Sequence, residues 1–305
     1  MKANGFSEQA SVTERFTASY GLAVATGVVS ALGFAAGLPV LLVNLAAAAI
    51  VLSVIPEMRH QSAPAMRFLG HTSPLLVFYL FYRECGLILS LPGVHWRDSS
   101  LLEVERALQW VFSDVPAGAG EAFAAAYMSY IPFVVAAAIL VAHGEAGTRG
   151  LETLVRRVCF AWAVCFAAFV LFPVLGPRFV DATGQAALFG TGPFSAFALF
   201  NQRYGMLHGG SFPSAHIAAS VIALAALSPR QRLVLLPLAL SIFVSVIALR
   251  YHYRVDVAAG IVVGLGAIAF DRAFVALNAA ARHPASAEPE AAKAKRYAVP
   301  RQPLR

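Results

Sequence analysis

The chain has 305 residues, 59% of them hydrophobic and 13% charged, and a mean hydropathy of +0.69. Soluble domains are about half apolar and a quarter charged, and the apolar residues here come in long runs, so a pair of soluble domains is excluded and a polytopic membrane bundle is expected. The net charge of +7 comes from basic residues scattered among short connectors, which argues against nucleic acid as a partner and for a topological cause.

Residues 1–19 are polar and form a cytoplasmic N-terminus; the apolar run that follows is too long for a signal peptide. Residues 20–56 are almost continuously apolar, interrupted at Gly37-Leu38-Pro39. One helix of that length would overshoot a ~30 Å hydrocarbon core, so a transmembrane hairpin turning near Gly37 and Pro39 is expected, with a single tilted helix as the alternative. The next span, Thr72–Leu91, carries Arg83 and Glu84, which at membrane depth are expected to face protein or water, where they could neutralise each other or neighbouring groups. His95–Ser113 alternates apolar and charged residues and includes Trp96 and Trp110, the pattern of an amphipathic helix lying at the interface. Gly120–Ala142 and Leu154–Leu175 are further spans. Gly176–Ser211 is a long loop rich in Gly, Pro and aromatic residues, and a loop of that length is usually functional. Ser214–Leu227, Leu233–Leu249 and Val255–Leu277 complete the bundle, and 281–305 reads as a disordered cytoplasmic tail. Cys85, Cys159 and Cys165 all lie inside apolar segments, as small packing residues rather than metal ligands or a disulfide.

Eight spans put both termini on one side. That side holds 16 of the 23 Lys and Arg, so the positive-inside rule makes it cytoplasmic. The same rule places the long loop, His216 and His252 together on the opposite face.

Three outward-facing segments then carry the chemistry: Gly176-Pro177-Arg178, Pro213-Ser214-Ala215-His216 and Tyr251-His252-Tyr253-Arg254-Val255-Asp256. Pro213 suits a first helical turn, so Ser214 and His216 sit at a helix N-terminus that favours an anion. Arginine grips phosphate oxygens through a planar fork. One histidine can attack phosphorus while the other protonates the leaving oxygen, and an aspartate can hold the attacking ring in the right tautomer. A zinc site would use the same residue types, but the spacing is not that of a helical zinc motif.

In this order the segments resemble the three signature motifs of the type 2 phosphatidic acid phosphatase (PAP2) superfamily. The resemblance covers roughly Thr72–Leu277 and implies an all-α, six-helix catalytic core, 72–280, preceded by the 20–56 hairpin. It implies His252 as nucleophile through a phosphohistidine, Asp256 as its orienter, His216 as general acid, and Arg178 with the backbone around Ser214 as the phosphate seat, with no metal or other cofactor. The chain departs from the pattern where the third motif opens, with Ser245-Val246 in place of Ser-Arg, and upstream of Arg178, where Trp162–Leu171 is apolar and the usual Lys is missing. Arg250 and Arg254 are the candidates to supply the missing charge, and Ala215 stands where Gly is usual. The compact Tyr-His-Tyr core is most similar to the inositol phosphorylceramide synthase-like branch. The expected function is that of an integral membrane lipid phosphatase or phosphotransferase acting on a lipid phosphate ester or diphosphate, its site on the non-cytoplasmic face of a bacterial plasma membrane. A headgroup transferase to a lipid hydroxyl is the alternative within the superfamily, and a lipid transporter without phosphoryl chemistry the alternative outside it.

Overall fold

The structure, a computed structural model, describes residues 10–108 and 118–282. Among the described residues helices are the only regular secondary structure, and the chain divides into a compact unit up to Ile268 and a second from Ala269. The end of the interfacial segment, with Trp110, lies outside the described residues. So does the expected tail, except Ala281 and Arg282, which belong to the last helix rather than to a disordered segment.

The first helix, α1 (Val12–Leu32), opens with a capping box. Ser11 Oγ accepts from the Glu14 amide, and the Glu14 carboxylate accepts from the Ser11 amide. The reversal expected near Gly37 comes earlier, at Gly33, whose φ of 82° is a conformation that suits glycine. Residues Phe34–Arg59 then form α2 with Pro39 inside it. Gly37 has another use: a Cβ there would lie 2.7 Å from the Val29 Cα, so this glycine lets α1 and α2 pack closely. The far end of the pair is tied by Arg59 Nε to Glu14 Oε1 at 2.9 Å.

Arg83 and Glu84 do not neutralise each other. Both lie in α3 (Pro64–Leu89), about 100° apart on the helix. Glu84 is buried and accepts from Asn44 Nδ2 of α2 at 2.7 Å, whereas Arg83 donates to the Gly205 carbonyl at 3.1 Å. The interfacial helix is shorter than its sequence pattern, α4 (Asp98–Ala107). Next come α5 (Gly120–Met128) and α6 (Tyr130–His143), which together form one apolar span, and α7 (Gly147–Leu171). Helix α7 is the centre of the bundle; it packs against α1, α3 and α6 and contributes Leu151, Leu154, Val158 and Phe169 to the core around Phe78 and Phe133.

The long loop is not irregular throughout. It holds three short helices, α8 (Pro177–Val180), α9 (Ala182–Ala186) and α10 (Pro193–Tyr204). Glu121 of α5 caps α10, its carboxylate accepting from the Phe194 amide at 2.7 Å and the Ser195 amide at 3.0 Å. The chain ends with α11 (Ala215–Ala226), α12 (Pro229–Ala248) and α13 (Arg254–Arg282).

Among the described residues six spans are long and apolar enough to cross a membrane, against the eight expected. Helix α1 is long enough but diluted by Thr, Ser and Gly. Helix α11 has 12 residues, about 18 Å at 1.5 Å per residue, against ~30 Å of hydrocarbon. Helix α11 is therefore shorter than the hydrocarbon core is thick, and His216 in its first turn lies against the rings of Tyr127 and Tyr130. Glycines of α13 set its position: a Cβ on Gly260 would lie 2.6 Å from the Ser214 carbonyl, and one on Gly264 2.8 Å from that of Ala218. This small-residue seam lets the two backbones that carry the site approach closely.

Candidate active site

Each histidine is delivered by a helix start. Ser214 caps α11, its Oγ accepting from the Ile217 amide at 3.5 Å, and Pro213 lies before the cap rather than in the first turn. His216 is thus in the first turn, and Trp162 Nε1 of α7 donates to the neighbouring Ala215 carbonyl at 3.4 Å. Between α12 and α13 the chain reverses through Arg250, whose φ is 56°. The Val246 carbonyl accepts the amides of both Tyr251 and His252, at 2.9 and 3.0 Å. Asp256, at the third position of α13, reaches back to the Tyr253 amide at 2.9 Å, half of a capping box.

The two imidazoles lie 5.8 Å apart between centroids, with an interplanar angle of 66°. His252 Nδ1 is 2.9 Å from the Ser211 carbonyl and 3.4 Å from Asp256 Oδ2. A carbonyl only accepts, so this contact puts the proton on Nδ1 and leaves the lone pair on Nε2. The nearer orienter is therefore the Ser211 backbone. Asp256 is fully buried and bonds the Ser211 hydroxyl, so it fixes the loop that fixes the ring. Ser211 had no signal in the sequence beyond lying next to the second motif.

Arg178 belongs to α8 and is 7% exposed. Its guanidinium donates to the Leu207 carbonyl and lies 4.5 Å from the Phe179 ring. The titratable groups facing it include the phenols of Tyr82, Tyr127 and Tyr251 and the imidazole of His216, and among the described residues it makes no ion pair with a carboxylate. Burial lowers its pKa from the ordinary value, yet arginine stays charged in proteins. The site thus contains a desolvated cation without an anionic partner, an arrangement that favours an anion beside it.

Arg178, His216, His252, Gly209, Gly210 and Tyr251 line one small chamber of about 50 Å3. Gly209 and Gly210 have φ of 89° and 72°, and a Cβ on Gly209 would lie 2.5 Å from the Trp96 ring, so both the backbone conformation and the close approach require glycine there. A second, apolar cavity of about 250 Å3 adjoins the chamber and shares Tyr82, Tyr127, Met206 and His216 with it. Its other walls include Tyr130, Trp162 and Phe166. Tyr79 and Ile131, 55% and 60% exposed, lie on its rim. Each is ten or eleven residues from the nearer end of its span, about 15 Å in, so this rim lies midway along both spans.

The remaining expected phosphate ligands are elsewhere. Arg250 is engaged by Asp181. Arg254 Nη1 is 2.5 Å from Glu105 Oε1, and its amide donates to Glu105 Oε2 at 2.8 Å. Neither arginine lines the chamber. Ser214 is fully buried, with its amide donated to the Asp256 carbonyl at 3.0 Å, so it builds the turn instead of facing the chamber.

Sequence reading missed the two carboxylates that hold these loops in place. Asp98 and Glu105 are seven residues apart, hence on one face of α4. Asp98 Oδ1 accepts from the Gly176 amide at 2.9 Å and the Tyr253 hydroxyl at 3.0 Å, and Oδ2 from the Leu175 amide at 2.8 Å. One side chain thus joins the turn before Arg178 to the turn after His252. Their spacing in an otherwise amphipathic helix was the available signal. Asp98→Ala strands three donors and is expected to destabilise the protein by about 2–4 kcal/mol. The measurements are a lower thermal midpoint in detergent and at least about tenfold lower turnover.

Among the described residues, no group of three or more His, Cys, Asp or Glu side chains is arranged to hold a metal ion. The class defined by fold and site is that of an integral membrane helical bundle with a small chamber lined by two histidines and an arginine. Residues 94–270, more than half of the chain, match a family model described as the PAP2 superfamily, and the chain belongs to that superfamily. The match begins after α3 and does not favour the inositol phosphorylceramide synthase-like branch. Comparisons with curated proteins and with solved structures find no match. Members of the superfamily are phosphoesterases and phosphotransferases, which supports activity of that general type on a lipid phosphate.

Proposed function

We propose that this protein transfers the phosphoryl group of a membrane lipid phosphate, through a covalent intermediate on His252, to water or an alcohol. The observation that carries the reading is the buried Arg178 guanidinium, without a carboxylate partner among the described residues, in one chamber with His216 and His252. The adjoining apolar cavity, its rim midway along two spans, supports a substrate whose chain stays in the membrane.

In the first step His252 Nε2 attacks phosphorus and the ester P–O bond breaks. Its electron pair leaves with the lipid oxygen, which takes a proton from protonated His216. In the second step neutral His216 takes a proton from water or an alcohol, whose oxygen attacks phosphorus. The P–N bond breaks and returns its pair to His252. Arg178 and the first-turn amides of α11 balance the charge on the phosphoryl oxygens. Counting α1 and the short α11 as crossings, the reading puts most basic residues on the side of the termini and the site on the non-cytoplasmic face of a bacterial plasma membrane.

The test is a panel of phosphatidic acid, isoprenyl diphosphate, phosphatidylglycerol phosphate and phosphoinositol lipids, given to purified protein in detergent with excess chelator. Both free phosphate and transferred headgroup are scored. Turnover of at least one substrate class, undiminished by chelator, is expected. Transferred headgroup with little free phosphate would place the protein with the transferases. No cleavage of any phosphate bond, alongside lipid transport in vesicles, would overturn the reading.

A further inference from the structure

Tyr251 precedes the attacking histidine and has no task in the scheme above. It is 5% exposed, and its ring stacks on Tyr127 with centroids 4.3 Å apart. It lines the chamber with Arg178, His216 and His252. Its hydroxyl is buried and has no hydrogen-bond partner among the described residues. Buried phenols normally have one, and an unpaired one calls for an explanation in the site it faces.

Two further observations connect the hydroxyl to the phosphoryl group. Tyr251 is held to the same Val246 carbonyl as His252, so phenol and imidazole keep a fixed relation to each other. Arg178 faces the phenol electrostatically. Val246, which stands where the third motif of the superfamily opens with an arginine, packs in an apolar cluster with Tyr251, Leu249 and Tyr127. At that place an aromatic wall replaces a cation. Burial pushes the Tyr251 phenol well above its ordinary pKa, so the group remains a donor at neutral pH.

We propose that the Tyr251 hydroxyl donates a hydrogen bond to a non-bridging oxygen of the phosphoryl group held beside Arg178, a neutral donor in a site whose third motif lacks its arginine. The inference rests on the phosphoryl-transfer reading of the chamber and adds a substrate-binding residue to it.

The test is Tyr251→Phe in the full-length protein, a change that removes only the oxygen. The affinity for inorganic phosphate is measured by calorimetry in detergent, together with KM and kcat on the best lipid phosphate of the panel. Phosphate is expected to bind at least about tenfold more weakly, the range for a lost hydrogen bond to a charged group. The thermal midpoint without phosphate is expected to be unchanged or higher, because the hydroxyl removed has no partner in the protein. Equal phosphate affinity in both proteins, no phosphate binding by the wild type, or a lower midpoint of the variant without phosphate overturns the inference. The two levels are separable. Phosphate binding that depends on Tyr251 in a protein that turns over no lipid defeats the proposed function alone. Normal turnover with unchanged phosphate affinity defeats this inference alone.

Discussion

His252→Ala is expected to lower turnover of any lipid phosphate at least about 10^4-fold, the scale on which nucleophile removal acts elsewhere. The protein should still fold, since His252 fills the chamber wall and its Nδ1 bonds one loop carbonyl at 2.9 Å. It should also still bind phosphate, because Arg178 and the start of α11 are untouched. Loss of turnover with phosphate binding preserved would separate the attacking group from the anion seat. A variant that keeps more than about a hundredth of wild-type turnover would show that another group attacks phosphorus.

His216→Gln should cost about 10^2–10^4-fold with a lipid ester, the usual range for general acid catalysis. The loss should depend on the leaving group. An alkoxide needs the proton; p-nitrophenolate does not, so the first step with p-nitrophenyl phosphate, read as the p-nitrophenolate burst, should lose far less than the same step with the lipid ester. Equal losses on both substrates would assign His216 a binding or packing role. Its ring lies 4.6 Å from that of Tyr130 and 5.6 Å from that of Tyr127, so the control is a thermal midpoint within a few degrees of wild type.

Composition and hydropathy were enough for an all-α membrane bundle, because membrane spans announce themselves through continuous apolar length. They were not enough for its details. The turn at Gly33 was misplaced to Gly37 because a glycine serves equally as a turn and as a close helix contact, and only the backbone tells the two apart. Helix α11 was counted as a span although the sequence leaves only about 20 Å of helix between His216 and Pro229, and its 12 residues keep to that length. The histidines and Arg178 were legible through motif spacing, and the structure brings them to one chamber. Arg250 and Arg254 were assigned by charge alone, and each is held by a carboxylate distant in sequence, Asp181 and Glu105. Those pairings, like the threefold use of Asp98, depend on which loops meet, which no local pattern carries. The burial of Tyr251 and its hydroxyl without a partner among the described residues are likewise tertiary facts.

The central claim, two successive displacements at phosphorus through His252, is tested most directly by the stereochemical course of the reaction. A lipid phosphate made chiral at phosphorus with oxygen isotopes is turned over, and the configuration of the transferred phosphoryl group is read by phosphorus NMR. Each in-line displacement inverts the centre, so attack by His252 followed by attack of the acceptor predicts net retention. Net inversion would mean one direct displacement by water or alcohol, and would contradict the covalent role assigned to His252.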